Sequence, residues 1–221
     1  MLPATAGRFT ETDDELRLRF RNTKFTRSIN ILDSLYSDLV NVDGVTNVRI
    51  YENDTDDPAN IADIGTYLLD AHSLLAVVLG GSPSDVADTI WKNKPTGIQS
   101  VGNTLQTVYD SQGFPHPIRY EIPNPTAIYI TMELETDALL FPADGTTQIK
   151  EAILAYAQEN FSVGDDVAAS RLYTPINSIA GHEVNYLYIG TSASPTGSTT
   201  IPIEFNRIAS FDPANIIINI V

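Results

Sequence analysis

Alternation of apolar and polar residues is the clearest pattern in this chain. From residue 128 to residue 134 an apolar side chain stands at every second position, a period that predicts a β-strand with one buried face. Its apolar members are Ile128, Ile130, Met132 and Leu134. Residues 74–79 are instead continuously apolar, which predicts a central strand covered on both faces.

Weaker patterns predict the remaining strands. From Val45 the period is again two, with Val48 and Ile50 opposite Arg49 and Tyr51, as in a half-buried strand. A turn between two short extended runs predicts a hairpin with strands near residues 105–109 and 116–122. Further strands are predicted near residues 184–189, 201–208 and 215–221.

Other segments repeat their apolar residues with the period of a helix. Leu32, Leu35, Tyr36 and Leu39 have the spacing of one apolar face, which predicts a helix from about Ser28 until Gly44. Thr12 and Glu15 form a capping box that predicts an earlier helix through about Lys24. The other predicted helices run from Ser82 or Ser84 to about residue 94, over residues 147–160, and over residues 167–179, where Pro175 disfavours the middle.

The order of these elements predicts an α+β fold. A short helical segment over residues 1–43 is followed by two small mixed-sheet modules with packed helices, residues 44–123 and 124–221. Two short helices cannot bury their apolar stripes alone, so the helical segment is expected to pack on the next module or on a partner.

Composition limits the function. The chain of 221 residues is 43% hydrophobic, enough for a core, and it contains no cysteine, which excludes disulfides and cysteine-ligated zinc. Its net charge of −15 argues against nucleic acid as a partner, since phosphates require a basic surface. No apolar run is long enough to span a membrane, so no membrane span is expected.

The charge is unevenly distributed. Residues 1–27 hold six cations against four carboxylates, a net +2, and leave −17 for the rest of the chain. A basic arm on an acidic body is typical of subunits that meet head to tail, and Arg17, Arg21, Lys24 and Tyr36 are the candidate partner contacts. The alternative is a solvated helix whose arginine stems cover apolar surface.

The sequence contains no recognisable catalytic or cofactor motif. It lacks G-x-G-x-x-G, a phosphate-binding Lys-Ser/Thr pair, H-E-x-x-H and G-x-S-x-G, so no enzyme activity and no cofactor are predicted. The histidines, His72, His116 and His182, lie far apart, and His116 is interpreted as a structural imidazole in the hairpin. Trp91, beside Ile90, is placed at the edge of the core rather than at an interface.

An acidic loop at residues 53–60 resembles the start of a calcium site, because Asp54, Asp56 and Asp57 offer oxygens at alternating positions. The position that needs glycine for the sharp turn is Ala59, and the position of the bidentate glutamate is Gly65. A solvated acidic loop is therefore favoured over a metal site.

Four blocks of the sequence resemble one family. They are GRFTETDDELRLRF (7–20), GVTNVRIYEN (44–53), the stretch 90–130 with KP-x-GI, GNT, DSQG, P-H-x-I-R and P-x-P, and FNRIASFDPANI (205–216). In this order the blocks resemble the C-terminal part of the phage baseplate J-like family. Family members carry a further N-terminal region, whereas Met1 stands a few residues before the first block, so a shortened member or a fragment is expected.

The resemblance implies a structural role in the virion. Baseplate J-like proteins are wedge components of the baseplate in contractile phage tails and related injection machines. By this resemblance the chain is expected to contact other wedge and hub proteins, to associate with itself in the ring, and to assemble in the host cytoplasm before residing in the tail baseplate.

Two other classes of function remain open. A surface glycan- or receptor-binding module would use the acidic loop and the Gly/Ser/Thr-rich loop at residues 190–200 and should expose an aromatic cluster. A hydrolase with a site assembled from distant residues would need an apolar cleft with converging Asp, His and Ser.

Overall fold

The computed structural model describes residues 31–60 and 67–221. In these residues the chain forms four helices and ten strands. They are α1 (Ile31–Val40), β1 (Val45–Asn53), β2 (Ala59–Asn60), β3 (Leu68–Leu69), β4 (Ser73–Gly80), α2 (Pro83–Asn93), β5 (Gln99–Val101), β6 (Thr104–Tyr109), β7 (Pro115–Tyr120), β8 (Asn124–Thr136), α3 (Gly145–Asn160), α4 (Ala169–Ile176), β9 (His182–Gly190) and β10 (Arg207–Ile220). This content confirms the predicted α+β class.

The first sheet is built around β4. Its strand order is β1-β4-β5, with β4 antiparallel to β1 and parallel to β5. Residues Ser73 to Val78 of β4 are all buried, which confirms the central strand predicted from the continuous apolar run. The helix α2 connects the two parallel strands, β4 and β5, as such a crossover requires.

The strand β1 is more buried than its alternation predicted. Val48 and Ile50 face the core formed with α1 and α2, as expected, but Tyr51 on the other face belongs to a second apolar cluster. The prediction of a half-buried strand was therefore wrong: a second layer covers the face that carries Arg49 and Tyr51.

The helix α1 packs on the first sheet and on α2, and its predicted start near Ser28 lies outside the described residues. Leu35 and Leu39 are fully buried, as the periodicity predicted. Tyr36 was predicted to share this apolar face, but 49% of its surface is exposed. One residue rotates a helix by about 100°, and this turns Tyr36 away from the stripe of Leu35 and Leu39.

In the first half, α2 and the hairpin follow the prediction, whereas the short strands β2, β3 and β5 were not predicted. β6 and β7 form the expected hairpin, paired from Thr104 with Tyr120 to Tyr109 with Pro115. Ser82 occupies the N-cap position of α2, but its side chain makes no capping hydrogen bond and contacts the Ser84 hydroxyl at 2.8 Å instead.

The second sheet has the order β10-β8-β9, with β8 in the centre, parallel to β10 and antiparallel to β9. The four alternating apolar residues of β8 are fully buried, which confirms the predicted strand. They face a core shared with α3 and α4. The last helix, α4, is shorter than predicted and contains Pro175 near its end.

The end of the chain differs from the prediction. Strands were expected at residues 201–208 and 215–221, whereas the structure has one strand, β10, with an irregularity between Phe211 and Ile216. The earlier segment does not join the sheet, because Ile201 exchanges backbone hydrogen bonds with Val167 and the Ile203 amide donates to Asp166.

A third apolar cluster joins the two sheets. It combines Tyr51, Leu75 and Val77 of the first sheet with Val163, and the partly buried Phe205 and Ile208 pack against it. Polar contacts border it: Arg49 Nη1 donates to the Val163 carbonyl at 2.8 Å and to Asp165 Oδ1 at 3.2 Å. The side chains at this junction thus hold the first sheet against the loop after α3.

Candidate interaction surfaces

Tyr36 is the predicted contact residue whose position can be described. It stands on the outer face of α1 with half of its surface exposed. Arg17, Arg21 and Lys24 lie outside the described residues. The structure therefore does not test whether these four side chains form one surface.

The turn after β8 exposes two adjacent leucines. Leu139 is 94% exposed and Leu140 is 65% exposed. The turn is nevertheless well hydrogen-bonded, because the Asp137 carbonyl accepts from the Leu140 and Phe141 amides and the Asp137 carboxylate accepts from the Leu139 amide. The two leucines therefore project into solvent from a hydrogen-bonded turn. Exposed apolar side chains in such a fixed position are typical of a contact surface.

Close packing supports this turn from below. The Phe141 ring fills the space beside Gly145, where a Cβ atom would lie 2.5 Å from the ring. Gly181 approaches even closer, since a Cβ there would lie 2.4 Å from the Phe141 amide nitrogen, and its carbonyl accepts from the Asp137 amide. Two glycines thus let the chain pack tightly enough to fix the turn.

The C-terminal end of β10 lies at the same end of the second sheet as the turn after β8. Ile220 pairs with Leu134 of β8, and the Val221 amide donates to the Leu134 carbonyl at 3.0 Å. Ile220 is 52% exposed and Val221 is 64% exposed. We call the four exposed residues Leu139, Leu140, Ile220 and Val221 the β8 tip.

An acidic pocket of about 390 Å³ adjoins the β8 tip. Glu135 and Asp137 on one side and Glu183 on the other line it, and His182 also contributes. In the described residues no three His, Cys, Asp or Glu side chains are placed to hold a metal ion together. The three carboxylates of its lining give the pocket a negative charge, suited to a cationic group of a partner.

Both ring nitrogens of His182 are buried and have no hydrogen-bond partner within residues 31–60 and 67–221. Its ring meets Phe141 edge to face, with the ring centroids 5.9 Å apart. Burial lowers the pKa of His182 below its ordinary value of 6.5. The imidazole is therefore a neutral packing group under the tip, and protonating it requires burying a charge.

We expect this histidine to make stability pH-dependent. His182 binds a proton less readily in the folded protein than in the unfolded chain. The free energy of unfolding therefore has its maximum contribution from His182 above about pH 6.5, and it falls as the pH drops below that value. Urea unfolding at about pH 7.5 and about pH 5.5 measures this loss. The variant His182→Phe should lose less stability over that interval than the wild type, whereas His72→Asn, at an exposed histidine, should behave as wild type. An equal loss in His182→Phe and the wild type would contradict the assignment.

A second exposed apolar surface lies at the β6–β7 hairpin, where Tyr109 and Phe114 flank the turn, 68% and 61% exposed. Asp110 organises this turn: the Phe114 amide and His116 donate to its carboxylate and lower the pKa of Asp110. His116 also stacks on Trp91 at 3.8 Å between ring centroids, which places Trp91 at the edge of the core.

The solvent-facing side of the second sheet carries an aromatic pair. Tyr186 and Tyr188 of β9 stack with their ring centroids 4.7 Å apart. Register places Tyr188 beside Thr131 of β8, and Thr131 beside Ile217 of β10. This face combines the two rings with the exposed aliphatic side chain of Ile217, while the Thr131 hydroxyl oxygen is buried.

The side chain of Asn53 organises the acidic loop. The Asn53 amide nitrogen lies within 3.0 Å of the carbonyl oxygens of Asp57, Leu69 and Asp70, while its oxygen accepts from Thr55. Asp56 is exposed and contacts His72 at 2.9 Å. The carboxylates of Asp54, Asp56 and Asp57 are thus exposed to solvent and do not converge on one point.

No protein-family model matches the chain, and no curated protein matches its sequence. In the part of the chain that the structure describes, every helix is too short or too polar to cross a membrane.

The sequence analysis missed the β8 tip. A signal was present, since Ala138 to Phe141 forms an apolar run between Asp137 and Pro142, in a connection too short to bury it. A connection this short can bury only part of such a run, and here Phe141 packs against the core while the two leucines do not. Partial exposure of the run could therefore have been anticipated, although its rigidity depends on Gly145 and Gly181.

Proposed function

We propose that this chain is a structural subunit of a protein assembly, and specifically a wedge component of a contractile phage tail baseplate. The observation that carries the assembly role is the β8 tip. Exposing two adjacent leucines on a rigid turn is unfavourable for a solitary protein, because apolar surface in water costs about 25 cal/mol per Å². A partner that covers the tip recovers this free energy.

The specific identity is supported by the sequence blocks that resemble the baseplate J-like family. The proposed partners are other wedge and hub proteins, the proposed location is the virion tail, and assembly takes place in the host cytoplasm. The two sheets, joined by an apolar cluster and by Arg49, provide a body suited to holding several contacts at fixed separations.

Affinity purification tests this function. The full chain carrying a tag is expressed in cells that produce the tail, and the bound proteins are identified by mass spectrometry. We expect other tail or baseplate proteins to co-purify, and cross-links to join Tyr36 or the β8 tip to them. Recovery of the tagged chain with no tail component would contradict the proposal.

A surface glycan is the second candidate ligand, because the stacked pair Tyr186 and Tyr188 lies on the solvent-facing side of the second sheet. Aromatic rings on an open face are a common platform for sugars. A glycan array separates the two functions: retention of a glycan by the wild type and its loss in Tyr186→Ala/Tyr188→Ala would favour this candidate.

A further inference from the structure

We propose that the β8 tip and its acidic pocket bind residues 16–27 of a second copy of this chain. The inference rests on the proposed assembly function and names one partner of the tip. It joins two different surfaces of the same chain, so the contact is head to tail. Repeated contacts of this kind close into a ring or extend as an array, depending on the rotation between neighbours.

The tip offers a specific chemical complement to a basic amphipathic segment. Its apolar part is the exposed pair Leu139 and Leu140, and Glu135, Asp137 and Glu183 line the adjoining pocket. A suitable partner carries apolar side chains for the leucines and several cations for the carboxylates. Charge complementarity of this kind sets the orientation of a contact and speeds its formation.

Residues 16–27 have this composition. The segment LRLRFRNTKFTR holds five cations and no carboxylate. Its apolar side chains are Leu16, Leu18, Phe20 and Phe25. Five of the 13 Lys and Arg residues of the chain are thus concentrated in 12 positions, within a protein whose net charge is −15.

The described body supplies no comparable basic surface. Five of its cations are engaged with groups of the same chain: Arg49 with Asp165, Lys94 with the Ile98 carbonyl, Lys150 with the Pro213 carbonyl, Arg171 with the Asn160 carbonyl and Arg207 with Glu204. For the acidic pocket of one copy, the basic cluster that this chain offers is therefore the segment at residues 16–27 of another.

Sedimentation velocity of the purified full chain tests the contact. The wild type is expected to associate as its concentration rises, and less at about 500 mM than at about 50 mM salt, because salt screens the charges. Leu139→Ser/Leu140→Ser and Arg17→Glu/Arg21→Glu should each weaken association by about tenfold or more. The control Tyr109→Ser/Phe114→Ser alters equally exposed apolar residues at the hairpin and should associate as wild type.

Mixing the two defective variants gives the sharper result. The leucine variant keeps its basic segment, and the arginine variant keeps its tip, so together they can form one intact contact. We expect a 1:1 dimer that does not grow further. The leucine variant should keep the wild-type unfolding temperature, because Leu139 and Leu140 are exposed.

Three outcomes would overturn the proposal: a wild type that stays monomeric at every concentration, a hairpin control as weakened as the leucine variant, or a mixture that forms no dimer. None of these would remove the proposed function, which is tested by co-purification with other tail components. A chain that fails to self-associate but still co-purifies with them has a tip that binds a different protein.

Discussion

Replacing Gly102 by alanine is expected to lower the free energy of unfolding by about 3 kcal/mol. Gly102 has a φ of +145°, and a Cβ atom there would lie 2.2 Å from the carbonyl carbon of Tyr120. The obstructing atoms belong to the backbone of β7, so no side-chain rotation can relieve the clash. Either the β5–β6 connection or the end of β7 must move. Urea unfolding of the purified variant measures the loss.

Gly97→Ala is the matched control for this prediction. Gly97 also has a positive φ, +89°, but no atom of the described residues lies within 4 Å of the position that a Cβ would take. Its replacement should therefore cost only the left-handed strain of about 1 kcal/mol. Equal losses at the two glycines would show that strain alone, and not the approach to Tyr120, explains the effect.

Replacing Glu121 by alanine is expected to cost about 3 kcal/mol. Glu121 is only 7% exposed, yet its carboxylate accepts hydrogen bonds from the Asn103 amide, the Asn103 side chain and the Asn206 side chain. Asn103 lies in the β5–β6 connection and Asn206 precedes β10. The buried Glu121 carboxylate thus links this connection to the second sheet by hydrogen bonds. Its removal leaves these partly buried donors without their acceptor. Thermal and urea unfolding measure the cost.

Two further variants separate the causes of this loss. Glu121→Gln keeps the shape but turns an N–H group toward the donors, so it should also destabilise the protein. Glu204→Ala removes an exposed carboxylate that pairs with Arg207 at 3.1 Å, and it should change stability by less than about 1 kcal/mol. A Glu121→Ala protein as stable as Glu204→Ala would contradict the role of Glu121 as a fastening between the sheets.

Both predictions concern the junction that sets the two sheets relative to each other. The β8 tip lies at the end of the second sheet, whereas Tyr36 lies on α1, which packs on the first sheet, and the hairpin is a separate two-stranded sheet in the first half of the chain. If these surfaces contact different neighbours in an assembly, their separation depends on Gly102 and Glu121. Assembly should therefore be sensitive to the junction even though neither residue is exposed there.

Much of the secondary structure follows from local patterns. The alternation in β8 and the apolar run in β4 predict strands because their side chains must match the burial of a sheet. The hairpin follows from its turn residues, Asp110 and Gly113. The β1 prediction failed because a period of two shows which side chains share a face, but not whether a second layer covers the other face.

The candidate site was harder to predict. From the sequence, Glu121 is expected to lie on the surface. Nothing near it in the sequence shows that Asn206 donates a hydrogen bond to its carboxylate. Likewise, nothing near Leu139 and Leu140 in the sequence shows that Gly181 lets the backbone approach closely enough to fix their turn. In each case the decisive partner lies many residues away in the chain, beyond the reach of any local pattern.

The sequence by itself determined the α+β class, the central strands and the concentration of positive charge before residue 28. Hydrophobic periodicity and composition are local properties, so they can be found without coordinates. The tertiary structure decided that β1 is covered on both faces, that β10 is one strand, that Glu121 fastens the two sheets, and that two leucines face solvent. These features depend on which distant segments pack together, because burial is a property of the whole fold.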